Sequence, residues 1–500
     1  MNRSLRPLLL TALLPSAVSA HPDDSPNIIY ILADDMGYGD VSALNPECKV
    51  RTRHIDSLAA QGISFTDAHT SSSVSTPSRY SILTGRYNWR SSLQSGVSWS
   101  YSPALIEPDR LTVAGLLRSN GYHTACIGKW HLGLGWSYKT DAPEQVDFSL
   151  PLTAGPNDNG FEYSYIMPAS LDIPPYVYIE NGRVTAPVTD TIDGRNGYAF
   201  WRRGPIAEDF DIAKTLDHFT DKAVDYIRTH AADGQPFFLY FPLTAPHTPI
   251  VPSDDFAGKS GIGPYGDFLL HVDDVVGRVT AAVREAGIER NTLIVFTSDN
   301  GCSPSANYKN LKTHGHNPSY IYRGTKADIY DGGHRVPYIF RYPALIEPGS
   351  RSDAPVCLTG FMATCADLLG IRLPDNAGED SYSHLAILRG KERRADRNRL
   401  LVHHSIDGYF AIRQGPWKLN VCPGSGGWSA PVPGDESPNA PRMQLFDMAL
   451  APDEPAEANR YVPGERRAAR MLRKLGRAIA EGRTTPGAPQ ANDVPVALYK

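Results

Sequence analysis

The chain lacks several features that would each have pointed to a function. No two of its six cysteines are spaced Cys-x-x-Cys, which argues against a zinc ribbon or a dithiol redox motif. There is no basic surplus: 49 Lys and Arg against 54 Asp and Glu leave a net charge of −5, so the electrostatic footprint of a nucleic-acid binder is missing. A mildly acidic chain still tolerates a locally positive pocket for an anionic substrate. Beyond the N-terminus no apolar run is long enough to span a bilayer. Gly424-Ser425-Gly426-Gly427 has neither the spacing nor the following Lys of a phosphate loop. No internal repeat is evident.

The N-terminus carries Arg3 and Arg6, an apolar run over residues 7–17, and then Val18-Ser19-Ala20. That pattern reads as a signal peptide over residues 1–20 rather than a membrane anchor, which needs a longer apolar segment, so the expected mature chain begins near His21 with no integral membrane segment after cleavage. The expected location is the periplasm or the medium. Export permits a disulfide or two among Cys48, Cys126, Cys302, Cys357, Cys365 and Cys422, with pairing unreadable from sequence. A hydrophobic fraction of 41% and a charged fraction of 21% over 500 residues fit a globular chain with a large core.

The chain is organised around Ser75-Thr76-Pro77-Ser78-Arg79, followed by Tyr80-Ser81-Ile82-Leu83-Thr84-Gly85-Arg86. Pro77 suits the first turn of a helix and Gly85 its end. Ser75 then sits at or just before a helix N-terminus, where unpaired N–H groups favour an anion. Arg79 adds a fixed fork of donors for an oxyanion. Alone, the stretch is equally a capped surface helix.

Other polar groups recur at the ends of apolar runs. Residues 27–33 read as a strand buried on both faces, ending in Asp34-Asp35-Met36-Gly37. Paired carboxylates there suit a hard cation, or a solvated loop. Residues 123–127 form a strand running into Gly128-Lys129-Trp130-His131, with Lys129 and His131 on one side of an extended segment. Residues 236–241 lead to Pro246-His247-Thr248-Pro249, and residues 292–297 to Ser298-Asp299-Asn300-Gly301. Helices are expected over residues 54–61, 111–119, 217–231, 265–286, 361–369 and 464–481. Residues 141–204 read as long loops, in which Ser170-Leu171-Asp172, Tyr176 and Tyr178 either line a sugar site or serve as structural aromatics. His314-Gly315-His316 reads as a solvated loop before a metal pair. Short strands over 400–404, 409–413 and 417–421 predict a small antiparallel sheet.

The Ser-x-Pro-Ser-Arg and Thr-Gly-Arg strings resemble the signature of the type I sulfatases, members of the alkaline phosphatase superfamily. Gly-Lys-Trp-His-Leu-Gly resembles their second signature. Lys326 and Asp331-Gly332-Gly333-His334-Arg335-Val336-Pro337 resemble a further family segment, with Asp331 in place of the usual Glu. The resemblance covers nearly all of the mature chain. It implies an α/β alkaline-phosphatase-like sandwich with a large mixed, mostly parallel sheet, and a smaller C-terminal antiparallel sheet with a terminal helix. The expected units are a catalytic domain over residues 21–375 and a C-terminal subdomain over 376–500.

The resemblance also implies a catalytic set of Ser75, Arg79, Lys129, His131, His247 and Lys326. Ser75 would be oxidised to formylglycine, the nucleophile, by a radical maturase of the kind that acts on Ser-type sites. Asp34, Asp35, Asp299 and Asn300, with residue 75, would hold Ca²⁺, or Mg²⁺ as the alternative. The expected activity is hydrolysis of a sulfate ester, with sulfated galactose or N-acetylgalactosamine as leading substrates. The reasons for a sugar are export, the loop aromatics Tyr101, Trp136, Tyr176 and Trp428, and the polar pair His403-His404. The rivals are a phosphate or phosphonate ester hydrolase of the same superfamily, and a sulfated-glycan-binding protein with Ser75 unmodified.

Overall fold

The computed structural model describes residues 25–142 and 144–500, so the expected leader lies outside the described residues. The continuous apolar run becomes the central strand Asn27–Ala33, buried from Ile28 onward. It pairs in parallel with Phe237–Pro242 on one side and Thr292–Ser298 on the other. His123–Lys129 and Tyr163–Met167 extend the parallel run outward. Strands covered on both faces need no polar alternation, which is why these segments read as unbroken hydrophobic runs. Tyr338–Arg341 joins Thr292–Ser298 antiparallel, with Ile63–Phe65 and Ser350–Ser352 beyond it. Ile179–Glu180 and Arg183–Val184 complete a mixed, mostly parallel sheet of ten strands. Tyr163–Met167 corrects the expectation of loops across residues 141–204. The strand has only five residues, and the Pro, Gly and Asp around it hide its signal.

Two sets of helices cover the sheet. Thr215–Ala231 and Pro264–Glu285 lie against each other, with Arg53–Ala60 on the second. Ser75–Thr84 and Val113–Arg118 lie against Phe361–Leu368, whose Phe361 ring is 4.5 Å from that of Tyr30 in the central strand. Each such fully buried Ile or Phe is worth about 1.5–3 kcal/mol of hydrophobic burial. The helix Ser75–Thr84 ends at Gly85, whose φ of 63° is left-handed. A Cβ there would lie 2.9 Å from Gly378 Cα, so glycine is needed for both conformation and space.

Leu401–His404, Phe410–Gln414, Trp417–Asn420 and Gln444–Asp447 form the small antiparallel sheet. The last strand was hidden behind the Pro-, Gly- and Ser-rich run over residues 423–442. Helix Arg466–Ala480 covers this sheet, and Met471 and Leu475 share a core with Leu401, Ile412, Tyr87 and Trp89. The small sheet is also fastened to the chain just before Ser75. The Ser73 N–H donates to the His404 carbonyl at 3.0 Å, and Arg413 pairs with Asp67 at 2.7 Å.

His403 and His404 do not offer themselves to a sugar. His403 is buried, stacks on His334 with ring centroids 4.1 Å apart, and bonds the Thr70 carbonyl through Nδ1. His404 is buried against Phe410. The two rings fill the joint between small sheet and main sheet. All six cysteines are buried as free thiols. No helix among the described residues is long and apolar enough to cross a membrane.

Candidate active site

The five central parallel strands share one carboxyl edge, the usual place for a site in an open α/β sheet. Pairing of Ala33 with Ser298 sets the ends of two neighbouring strands side by side. Asp34-Asp35 and Asp299-Asn300 therefore emerge together, although 265 residues separate Asp35 from Asn300. The Asp35 N–H donates to Asp299 Oδ1 at 3.2 Å, and Asn300 Nδ2 donates to Asp35 Oδ1 at 2.7 Å. Asp35 takes a φ of 65°, a left-handed conformation that Asp tolerates better than most residues. Ser75 opens the helix Ser75–Thr84 after an extended Val74. Its Oγ lies 3.5 Å from Asp34 Oδ1 and 3.4 Å from Asn300 Oδ1.

Three cations face the three carboxylates. Arg79, one turn into the helix, donates from Nε and Nη2 to Asp299 Oδ2 and from Nη1 to the Lys129 carbonyl. Lys129 Nζ is 2.7 Å from Asp34 Oδ2, and Lys326 Nζ is 2.8 Å from Asp35. Burial raises the Asp34 pKa, but Lys129, His247 and Arg79 outweigh it and hold the carboxyl at about 2. Lys326 is held above the usual lysine value, because Asp35 and Asp34 overcome the effect of its burial. Three basic side chains thus stand against three acidic ones, with burial pulling the Lys129 pKa below the usual lysine value.

His247 and His131 complete the cluster. His247 Nε2 lies 3.7 Å from Asp35 Oδ2, and its Nδ1 contacts the Thr248 carbonyl. His131 does not continue the extended segment expected of it, because its φ of 57° turns the chain. Its Nε2 donates to the Ser98 carbonyl at 2.9 Å, which leaves Nδ1 as a bare acceptor, buried and without a partner among the described residues. Burial, then the charges of Lys129 and Arg79, push this imidazole well below the usual histidine range, so it is neutral.

The oxygens suit a hard cation. Asp34, Asp35 and His247 each place a ligand atom within 4.8 Å of the others. The hydrogen bonds to Asp34 Oδ1 and Asn300 Oδ1 are long, 3.5 and 3.4 Å, so both oxygens are poorly satisfied where they stand. Carboxylate and amide oxygens without sulfur are the donor set of Ca²⁺ or Mg²⁺.

Some expected residues lie elsewhere. Tyr176, Tyr178 and Trp136 are buried in the main core and line no open surface. His316 is fully buried on Asp40 Oδ1 at 2.8 Å rather than in a solvated loop. Sequence reasoning missed Ser98, whose carbonyl fixes the His131 tautomer, and its neighbour Trp99. No local pattern marks either, since the contact is made by the Ser98 backbone and not by its side chain.

The sulfatase family profile matches residues 26–371. The chain is 34% identical over 472 residues to an N-acetylgalactosamine-6-O-sulfatase of Bacteroides thetaiotaomicron, covering 86% of this chain and 88% of that protein. It is 31% identical over 459 residues to human steryl-sulfatase, covering 82% and 77%. A solved structure from work on glycosaminoglycan metabolism by Bacteroides thetaiotaomicron, labelled 6S-sulf, superposes with a TM-score of 0.78 at 31% identity, over 91% of this chain and 99% of that one. The fold is shared with a protein solved in complex with k-i-k-neocarrahexaose, at a TM-score of 0.70 and 24% identity over 93% and 95% of the two chains. The chain belongs to the sulfatase family and is a sulfuric ester hydrolase.

Proposed function

We propose that this sulfatase removes sulfate from a carbohydrate, with 6-sulfated N-acetylgalactosamine or galactose as leading substrates, through a formylglycine made from Ser75. The observation that carries the reaction is the position of Ser75 Oγ, at a helix N-terminus between Asp34 Oδ1 and Asn300 Oδ1. The 34% identical N-acetylgalactosamine-6-O-sulfatase supports the sugar. Formylglycine at position 75 supplies, as its hydrate, an oxygen nucleophile and a second hydroxyl that lets sulfate leave. Asp34, Asp35, Asp299, Asn300 and residue 75 would hold a divalent cation, which would supply Lewis-acid activation of the nucleophile and offset sulfate charge. Ca²⁺ is the favoured ion.

The side chains have separate tasks. Arg79 clamps Asp299 and ties the helix to the end of the Lys129 strand. Lys129 and Lys326 bring two ammonium groups to the site, and with the helix N-terminus they stabilise the anionic oxygens of the ester. His247 is the residue placed to give a proton to the departing alcohol. His131 Nδ1, neutral and unpartnered, accepts the proton lost from residue 75. Conversion of Ser75 removes two hydrogens from its CH₂OH group, a task for a radical maturase. The leader read from residues 1–20 of the sequence supports a periplasmic or secreted mature enzyme.

Mass spectrometry of the peptide holding residue 75, from the native host, tests the nucleophile. Loss of two hydrogens with aldehyde reactivity is expected, and intact Ser75 in active enzyme overturns the mechanism. Rates on 4-nitrophenyl sulfate and 4-nitrophenyl phosphate, then on sulfated mono- and disaccharides, test the ester and the sugar. Faster turnover of the phosphate would move the reading to a phosphoesterase.

A further inference from the structure

The carbohydrate reading requires partners for a sugar ring, and a group of residues beside His131 has the chemistry for it. Ser98 is locked into the site. Its N–H donates to Thr76 Oγ1 at 3.1 Å, and its carbonyl accepts from His131 Nε2 at 2.9 Å. The next residue, Trp99, stands 54% exposed. A lone exposed aromatic is ordinary. This one has company: the Arg202 guanidinium lies over its ring at 5.2 Å and over the Phe200 ring at 5.1 Å.

Arg202 is ion-paired with Asp172, whose Oδ1 is buried and has no hydrogen-bond partner among the described residues. Both residues hang from loops that border the catalytic histidines. The His131 N–H donates to the Pro168 carbonyl, four positions before Asp172. Thr248, next to His247, donates from Oγ1 to the Tyr198 carbonyl, four positions before Arg202.

A carboxylate oxygen without a donor, beside a half-exposed guanidinium, is an acceptor and donor pair matched to neighbouring sugar hydroxyls. An open indole offers a flat apolar surface for the C–H face of a pyranose. We propose that Trp99, Asp172 and Arg202 form the subsite for the pyranose ring that carries the sulfate. Asp172 accepts a hydroxyl proton, Arg202 donates to a hydroxyl oxygen, and Trp99 lies against the ring. This rests on the carbohydrate reading above. A flat aryl sulfate has no hydroxyls for the pair to grip, so the two substrate types must respond differently to loss of the subsite.

The test uses full-length enzyme with formylglycine verified at position 75, assayed on 6-sulfated N-acetylgalactosamine, 6-sulfated galactose and 4-nitrophenyl sulfate. Trp99→Ala, Arg202→Ala and Asp172→Asn are expected to raise KM for a sugar sulfate tenfold or more, with a smaller change in kcat. The ratio of kcat/KM for sugar sulfate to that for aryl sulfate is expected to fall at least tenfold. Trp99→Phe and Arg202→Lys should recover part of it. An unchanged ratio, or a parallel loss on both substrates such as misfolding gives, overturns the subsite. A wild type active on aryl sulfate alone overturns the carbohydrate reading and the subsite together. A wild type active on sugar sulfate whose variants keep the ratio overturns the subsite alone.

Discussion

Arg79 closes both Nε and Nη2 on a single oxygen of Asp299, Oδ2, at 3.0 and 2.7 Å. The pair is completely buried, and the third donor of the same guanidinium holds the Lys129 carbonyl at 3.0 Å. One side chain thus joins the signature helix, the end of one strand and the start of the loop after another.

Breaking that junction leaves a buried carboxylate without its partner. Arg79→Ala is expected to cost about 3–5 kcal/mol of stability, as for other buried pairs cut on one side. Arg79→Lys keeps the charge but not the fork, so it should recover part of the stability and little of the activity. Urea unfolding read beside kcat/KM checks both. An Arg79→Lys enzyme with wild-type kcat/KM would show that the fork is dispensable.

Chelation tests the cation. Because the oxygen cluster belongs to the folded state, a bound ion adds about 2.7 kcal/mol of stability at a hundredfold excess over its Kd. EGTA treatment should therefore lower the melting temperature and abolish turnover, and Ca²⁺ should restore both. Asn300→Ala should blunt the thermal shift by removing one oxygen. A melting temperature indifferent to EGTA and to added Ca²⁺ would argue against a metal at these residues.

Lys326 is the most separable of the charges, since its side chain is 10% exposed where those of Lys129 and Arg79 are fully buried. Lys326→Ala should lower kcat/KM by about 10²–10³, the usual loss when one preorganised charge or donor is taken from a developing anion. Steady-state kinetics on 4-nitrophenyl sulfate measures it. A change below threefold would remove Lys326 from the reaction.

Acid stability has a separate origin. Burial holds His384 at about 3, against an ordinary value near 6.5. The unfolded chain then binds the extra proton first as pH falls. Stability is fully present above pH 6.5 and declines between 6.5 and 3, with this residue costing about 2 kcal/mol by pH 5. His384→Gln keeps a donor for the Cys357 carbonyl and should flatten that slope. Thermal melts between pH 7 and 5 compare the two proteins, and identical slopes would place the acid sensitivity elsewhere.

The buried strands were readable because a central parallel strand is apolar on both faces, and Asn27–Ala33, Phe237–Pro242 and Thr292–Ser298 have that pattern. Polar residues directly after such runs mark the edge where chemistry collects, so Asp34 and Asp299 stood out. Their adjacency did not: strand register is not written in local period, and only the resemblance joined them. Tyr163–Met167 escaped because short strands amid Pro and Gly give no signal. His403 and His404 misled because a polar ring pair reads as surface, yet here backbone carbonyls and ring stacking let imidazoles sit inside. Trp99 was unreadable as a site residue, since what places it is a hydrogen bond from a neighbour's backbone.

The fastening of the small sheet to the residues before Ser75 sets an order of events. Ser75 is 1% exposed, and the strand Leu401–His404 holds Ser73 through the His404 carbonyl. Once that strand is in place, the segment just before Ser75 is covered. Under the proposed mechanism, conversion of Ser75 is expected to precede docking of the last hundred residues, whose small sheet holds the segment before it.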